Sequence, residues 1–293
     1  MIFQGQATFS GCLALGLVVH CIAMHPLTAL LLGIVQGITE FLPISSSAHL
    51  ALLEHYFKVS GGGLGFDILL HVGSLAALLS YFHRDWLEMG RAFIFPSRYN
   101  RPERYLLFYL IVGIIPGALA GVLLEHKAET IFREPARIAL LMGGLAVLLI
   151  LAEKLARHIR HLDQINFRDA LIIGLSQALA IMPGVSRSGI TMTAGLFLGL
   201  NRRSAAHFSF LLATPIIAGA GLHHIPKWLQ ESSNGGLTLL PAVVGFLAAV
   251  LSSYLTIKYF LRFLQRHTFI PFAVYRLAVA ALILGQVFLF PGK

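Results

Sequence analysis

At an offset of 141 positions, the difference between Gln177 and Gln36, the chain matches itself without gaps. Ala29 falls on Ala170, Leu30 on Leu171, Gly33 on Gly174, Ser45 on Ser186 and Ser47 on Ser188. A chain of this kind must fold as two copies of one unit, and each copy breaks an apolar run with a polar turn. In the first copy the break is Gln36–Gly–Ile–Thr–Glu40–Phe–Leu–Pro–Ile–Ser45–Ser46–Ser47–Ala–His49. In the second it ends in Pro183–Gly–Val–Ser186–Arg187–Ser188–Gly189, so that Arg187 stands where the first copy has Ser46.

Composition decides the solvent. Hydrophobic residues make up 57% of the chain and charged residues 12%, against roughly a quarter charged in a soluble domain, and the mean hydropathy is +0.78. A hydrocarbon core takes about 20 apolar residues per helix, and no alternating strand pattern is present, so the fold class is an all-α polytopic membrane protein. The net charge of +9 does not indicate nucleic acid, because basic residues in such a chain mark cytoplasmic loops. Cys12 and Cys21 are the two cysteines and both lie in the first apolar run, so neither a disulfide framework nor a cysteine metal site is indicated.

Residues 1–23 are apolar without a basic leading region and precede the repeat, so they read as an extension, either an extra helix or residues upstream of a start at Met24. Residues 24–293 read as one membrane domain, with repeat one over about 28–152 and repeat two over about 169–290. From Pro26 to Glu40 the apolar run is too short to span, and Ala48 to Phe57 is shorter still. Two short helices joined by a polar turn describe a re-entrant hairpin, which membrane depth allows only where the backbone is buried in protein or lines a wet cavity. Asp169 to Met182 and Ile190 to Leu200 repeat that design, and full spans are expected near 66–83, 105–124, 137–152, 205–224, 238–257 and 270–290.

Arg84, Arg91, Arg98, Arg101 and Arg104 lie in one connection and Lys154, Arg157, Arg160 and Arg168 in another, which places both in the cytoplasm. The 125–136 and 225–237 connections, with Glu125, Glu129, Glu134 and Glu231, face outward. The two hairpins then open to opposite faces. The repeats are inverted, each a re-entrant hairpin plus about three transmembrane helices, an architecture that puts a site at the repeat interface.

Gln36 and Glu40, spaced i and i+4, share a face near a helix C-terminus, where a carboxylate and free carbonyls favour a hard divalent cation, Mg²⁺ or Ca²⁺. Ser45, Ser46 and Ser47 open one half-helix, and Ser186, Arg187 and Ser188 open its counterpart. Two helix N-termini with hydroxyls and a guanidinium make a phosphate site. His49 lies over the serine turn, which permits either activation of a hydroxyl or attack by the imidazole itself. Asp67 and His71 rank below these as a second shell or an unrelated pair.

These residues carry a resemblance. The chain resembles the undecaprenyl-diphosphate phosphatases of the bacitracin-resistance type, through Gln36 and Glu40 followed by Phe–Leu–Pro–Ile–Ser–Ser–Ser–Ala–His, through Pro183 to Gly189, and through Phe208–Ser–Phe–Leu–Leu–Ala and Phe269–Ile–Pro–Phe–Ala–Val–Tyr–Arg276. The likeness runs from about residue 24 to the C-terminus. It implies hydrolysis of undecaprenyl diphosphate to undecaprenyl phosphate and inorganic phosphate, with a divalent cation, in a bacterial plasma-membrane site reached from the outer face. By position, Glu40 and Gln36 serve metal and diphosphate. Arg187 binds phosphate with Ser45, Ser47, Ser186 and Ser188 around it. Ser46 and His49 are nucleophile and acid–base partner, in an order left open. Gln36 departs from the glutamate of many members, and Ser47–Ala48 from a frequent threonine–glycine. The partners implied are the prenyl diphosphate and membrane lipid, with a homodimer allowed. The inverted repeats leave a polyprenyl-phosphate transporter or flippase as the alternative.

Overall fold

The apolar half-helices end where their sequences stop offering backbone partners. In the computed structural model, which describes residues 24–57, 63–95, 101–132, 134–233 and 239–289, helix α1 runs over Pro26–Thr39. The His25 ring accepts from the Leu27 amide at 3.2 Å and Pro26 occupies the first turn, where a missing N–H costs nothing. Pro43 cannot continue the helix, and the chain turns into α2, Ser46–Phe57. The second hairpin starts α7, Phe167–Ala178, with a reciprocal cap between Asn166 and Asp169. It tightens into a 3-10 turn at Leu179–Ile181 and restarts as α8, Arg187–Phe197. The four expected half-helices are therefore present, within three or four residues at their ends. The expected extension, residues 1–23, lies outside the described residues.

Between and after the hairpins come α3 (Gly63–Tyr81), α4 (His83–Ile94), α5 (Arg101–Phe132), α6 (Pro135–Leu155), α9 (Arg202–Ser233), α10 (Leu239–Phe263) and α11 (Ile270–Leu289). Five of the described helices, α5, α6, α9, α10 and α11, are long and apolar enough to cross a membrane, and α3 with α4 makes a sixth candidate bent by 67°. This is an all-α multi-pass membrane protein. Among the described residues the only β pairing is an isolated bridge between Arg160 and Leu200.

Two expectations need correction. The connection read from Arg84 to Arg104 contains α4, whose buried side chains are Met89 and Ala92; its charges hid a one-sided helix that needs only a narrow apolar stripe. The bend before it falls at Phe82, buried against His207 and Phe210. In addition, α5 and α9 run on to Phe132 and Ser233, past the ends expected near 124 and 224.

The 141-residue offset carries α1 onto α7, α2 onto α8, α3 onto α9, α5 onto α10 and α6 onto α11. The copies are interlocked rather than side by side. Helix α1 of the first lies on α10 of the second, and α7 of the second lies on α5 of the first. Both contacts rest on matched glycines. A Cβ on Gly33 would fall 2.8 Å from that of Ala248, and one on Gly174 would fall 2.8 Å from the Gly113 Cα. Without a hydrophobic drive between helices in lipid, such close backbone approach supplies the packing.

The tip of the first hairpin is buried in an aromatic core. Phe41 stands edge-on to Phe210 at 5.3 Å, and Phe260 contacts Phe210, Phe269 and Phe272, in geometries favourable to aromatic pairs. The Phe208–Ala213 segment thereby acts as the floor under the first polar turn. At the ends of α6 and α9, Glu153 receives Arg202 through two nitrogens and the Phe269 amide at 2.7 Å, fixing the start of α11.

Candidate active site

Each hairpin turns through a strained serine. Ser45 has φ 78° and Ser186 has φ 69°; His158 is the other described non-glycine residue with positive φ. Such backbone costs roughly 1–3 kcal/mol per residue and persists only where the surroundings over-determine it. The two serines are equivalent across the repeat, and so are their side-chain contacts: Ser45 Oγ lies 3.3 Å from Ser47 Oγ, and Ser186 Oγ lies 3.2 Å from Ser188 Oγ. Ser186 also accepts from the Gly189 amide at 3.1 Å, capping α8.

These turns aim Ser46 and Arg187 at one carboxylate. Glu40, buried at 7% exposure, closes the C-terminus of α1, its amide donating to the Gln36 carbonyl. Its Oε1 accepts from the Arg187 guanidinium. Its Oε2 accepts from Ser46 Oγ at 2.6 Å and from Gln36 Nε2 at 3.1 Å. His71 Nε2 of α3 stands 3.6 Å from the same oxygen. Ser188 Oγ donates to the Leu42 carbonyl at 3.0 Å, a second tie between the two turns. A carboxylate this deep requires paired charge and donors, and it has both.

The structure thus brings together Gln36, Glu40, Ser46 and Arg187, with Ser45, Ser47, Ser186 and Ser188 in the two turns behind them. It does not bring His49 to Ser46. His49 Nδ1 faces the Ser45 carbonyl at 2.7 Å, so that nitrogen carries the proton, and Nε2 accepts from the Tyr275 hydroxyl at 2.7 Å. The two rings are stacked, centroids 5.6 Å apart. The imidazole beside the carboxylate is instead that of His71, whose Nδ1 faces the Asp67 carbonyl at 2.8 Å. That pair ranked low in the sequence because its distance to Glu40 depends on how α3 packs. Tyr275 and Arg276 were visible only as a motif without a role.

For a divalent cation the relevant observation is Gln36 Oε1, which is buried without a hydrogen-bond partner among the described residues. An orphaned amide oxygen one helical turn from a carboxylate is a hard-ligand pair of the right kind. No group of three or more His, Cys, Asp or Glu that could hold a metal occurs among the described residues, so substrate oxygens and water must complete any shell.

The model of one family, the bacitracin resistance protein BacA, matches residues 29–282. A protein named undecaprenyl-diphosphatase from Moorella thermoacetica is 46% identical over 266 residues, covering 91% of this chain and 99% of that one. Proteins of the same name from Gemmatimonas aurantiaca and Desulforudis audaxviator are each 44% identical, over 88% and 86% of this chain and 97% and 94% of theirs. The family match spans both polar turns, Ser45 and Ser186, and the α11 motif, and this chain belongs to the BacA family.

Proposed function

We infer that the chain hydrolyses undecaprenyl diphosphate to undecaprenyl phosphate and inorganic phosphate, recycling the lipid carrier of cell-wall synthesis. One observation carries the assignment to this site: the Glu40 carboxylate of the first repeat holds both the Ser46 hydroxyl and the Arg187 guanidinium of the second. Nucleophile, proton acceptor and phosphate-binding cation are then within one cluster.

Ser46 Oγ is the nucleophile. As it attacks the terminal phosphorus, its proton passes along the existing hydrogen bond to Glu40 Oε2, and the bridging P–O bond breaks to release undecaprenyl phosphate. The leaving group is a phosphate anion and departs without needing a proton. Water then attacks the phosphoserine phosphorus; as the Oγ–P bond breaks, Glu40 returns its proton to Ser46 Oγ, and both protons of the water leave with the inorganic phosphate. Arg187 exchanges its carboxylate partner for the equatorial phosphate oxygens, where a planar fork is worth most. His49 orients the serine turn through its bond to the Ser45 carbonyl, and Tyr275 orients His49. Gln36 Oε1 and the Glu40 oxygen vacated by Arg187 are the ligands available to Mg²⁺ or Ca²⁺, which when bound neutralises diphosphate charge.

The basic residues of segments 84–104, which includes α4, and 154–168 support a cytoplasmic placement for both segments. Three crossings between the hairpins then make the repeats inverted, with the first hairpin open to the outer face of the bacterial plasma membrane. No observation favours the transporter alternative. Purified protein in detergent should release phosphate from a prenyl diphosphate, and a chelator should stop it. Arg187→Ala or Glu40→Ala should abolish release in folded protein; release persisting in both would sink the site.

A further inference from the structure

Arg276 is the largest fully buried side chain among the described residues, at 0% exposure, about two turns into the apolar span α11. Among the described residues it has no carboxylate partner. Its Nε donates to the Met142 carbonyl of α6 at 3.1 Å, Nη1 to the Pro43 carbonyl at 3.2 Å, and Nη2 to the carbonyls of Gly184 and Val185 at 2.8 and 3.4 Å. A guanidinium that leaves water without a counter-ion is costly, and a structural tie at this depth could be made by apolar packing. The identity of the four acceptors shows what the charge accomplishes.

Pro43 lies two residues before Ser45, and Val185 one residue before Ser186, the two serines with positive φ in the hairpin turns. The same rigid plane therefore grips both turns just ahead of their strained residues. None of the four carbonyls belongs to Glu40, Ser46 or Arg187, so this grip is separate from the contacts in which those three side chains meet. Five N–H donors fixed in one plane suit four carbonyls from three elements; an ammonium with three donors on a flexible stem does not. Helix α11 also carries Tyr275, the preceding residue, whose hydroxyl holds His49.

We propose that Arg276 is a positioning residue of the active site: its guanidinium sets the separation and register of the two re-entrant turns, and so the placement of Ser46 against Arg187. The role rests on the phosphatase reading of this site. It acts on the reaction through the turns and touches neither substrate nor the reacting atoms.

The test is steady-state release of phosphate from a prenyl diphosphate by purified protein in detergent. The variants are Arg276→Lys, Arg276→Gln and each of these combined with Arg187→Lys, with melting temperature and gel filtration measured on every sample. An error of about 1 Å between reacting groups costs about 100-fold. Arg276→Gln in folded protein should therefore lose about that factor in kcat with KM changed less than about threefold. Arg276→Lys, which keeps the charge and so folds where glutamine fails, should lose about tenfold or more in kcat. In the Arg187→Lys background the same changes should add little, because both act on one alignment. Wild-type kcat in folded Arg276→Lys overturns the proposal, and so do losses that multiply in the double variants or follow only the folded fraction. No release by the wild-type protein would overturn the phosphatase reading, and the positioning role with it, before any variant is compared.

Discussion

Replacing Arg187 with methionine tests the pairing of the two repeats without reference to turnover. The substitution keeps much of the stem's volume but leaves the Glu40 carboxylate, 7% exposed, without its cation. Breaking a buried ion pair from one side costs about 3–5 kcal/mol. The lower end applies here because Ser46 and Gln36 still donate to Oε2. The Arg187 side chain is also 18% exposed, which reduces the pair's worth further. Arg187→Met should therefore destabilise the protein by about 3 kcal/mol, whereas the Glu40→Gln/Arg187→Met double variant should lie within about 1 kcal/mol of wild type, since no charge is left unpaired. The assay is reversible unfolding in mixed micelles with increasing denaturing detergent, read by circular dichroism, as a double-mutant cycle. A coupling energy near zero, with both single variants as stable as wild type, would refute the statement that Glu40 and Arg187 share a buried pair.

Ser46→Ala should lower kcat by about 1,000-fold or more and abolish any acid-trapped phosphoenzyme, since it removes the nucleophile itself; a phosphoenzyme surviving in this variant would move the nucleophile elsewhere. Tyr275→Phe and His49→Phe should lower kcat by similar factors and the double variant hardly further, because the hydroxyl and the imidazole form one unit; independent, multiplying losses in the same phosphate-release assay would separate them. Gly33→Val should prevent α1 from seating on α10 and cost roughly 3 kcal/mol or more in the detergent-unfolding assay, as overpacking at a backbone contact. A cysteine at His161, in a background lacking Cys12 and Cys21, should react with an impermeant maleimide only after the inner face is exposed; labelling from outside would reverse the topology.

The positions of the half-helices and most spans were legible because they depend on local properties. Apolar run length, Pro43 and Pro183, and the serines that open α2 and α8 act over a few residues, and a membrane makes hydropathy unusually decisive. Helix α4 escaped because a charged helix with a narrow apolar face resembles a loop. The pairing of Gln36 with Glu40 was legible as an i, i+4 relation on one helix, and the offset of 141 brought Arg187 to the same site without any contact being known.

What the chain determined by itself, then, is the solvent, the two-copy plan and the kinds of group at each polar turn, since composition, periodicity and self-similarity are all written along one dimension. Which imidazole meets the carboxylate was decided only in three dimensions. His49, close in sequence to the serines, turns away to Tyr275 across 226 positions, while His71 arrives on a separate helix. The use of Arg276 belongs to the same class. Its Pro43 contact spans 233 positions, and no local pattern distinguishes a guanidinium buried among carbonyls from one lying at a span's end. The physical reason is common to both: hydrogen-bond partners at such separations are chosen by how interlocked helices pack, and that packing is a property of the folded whole.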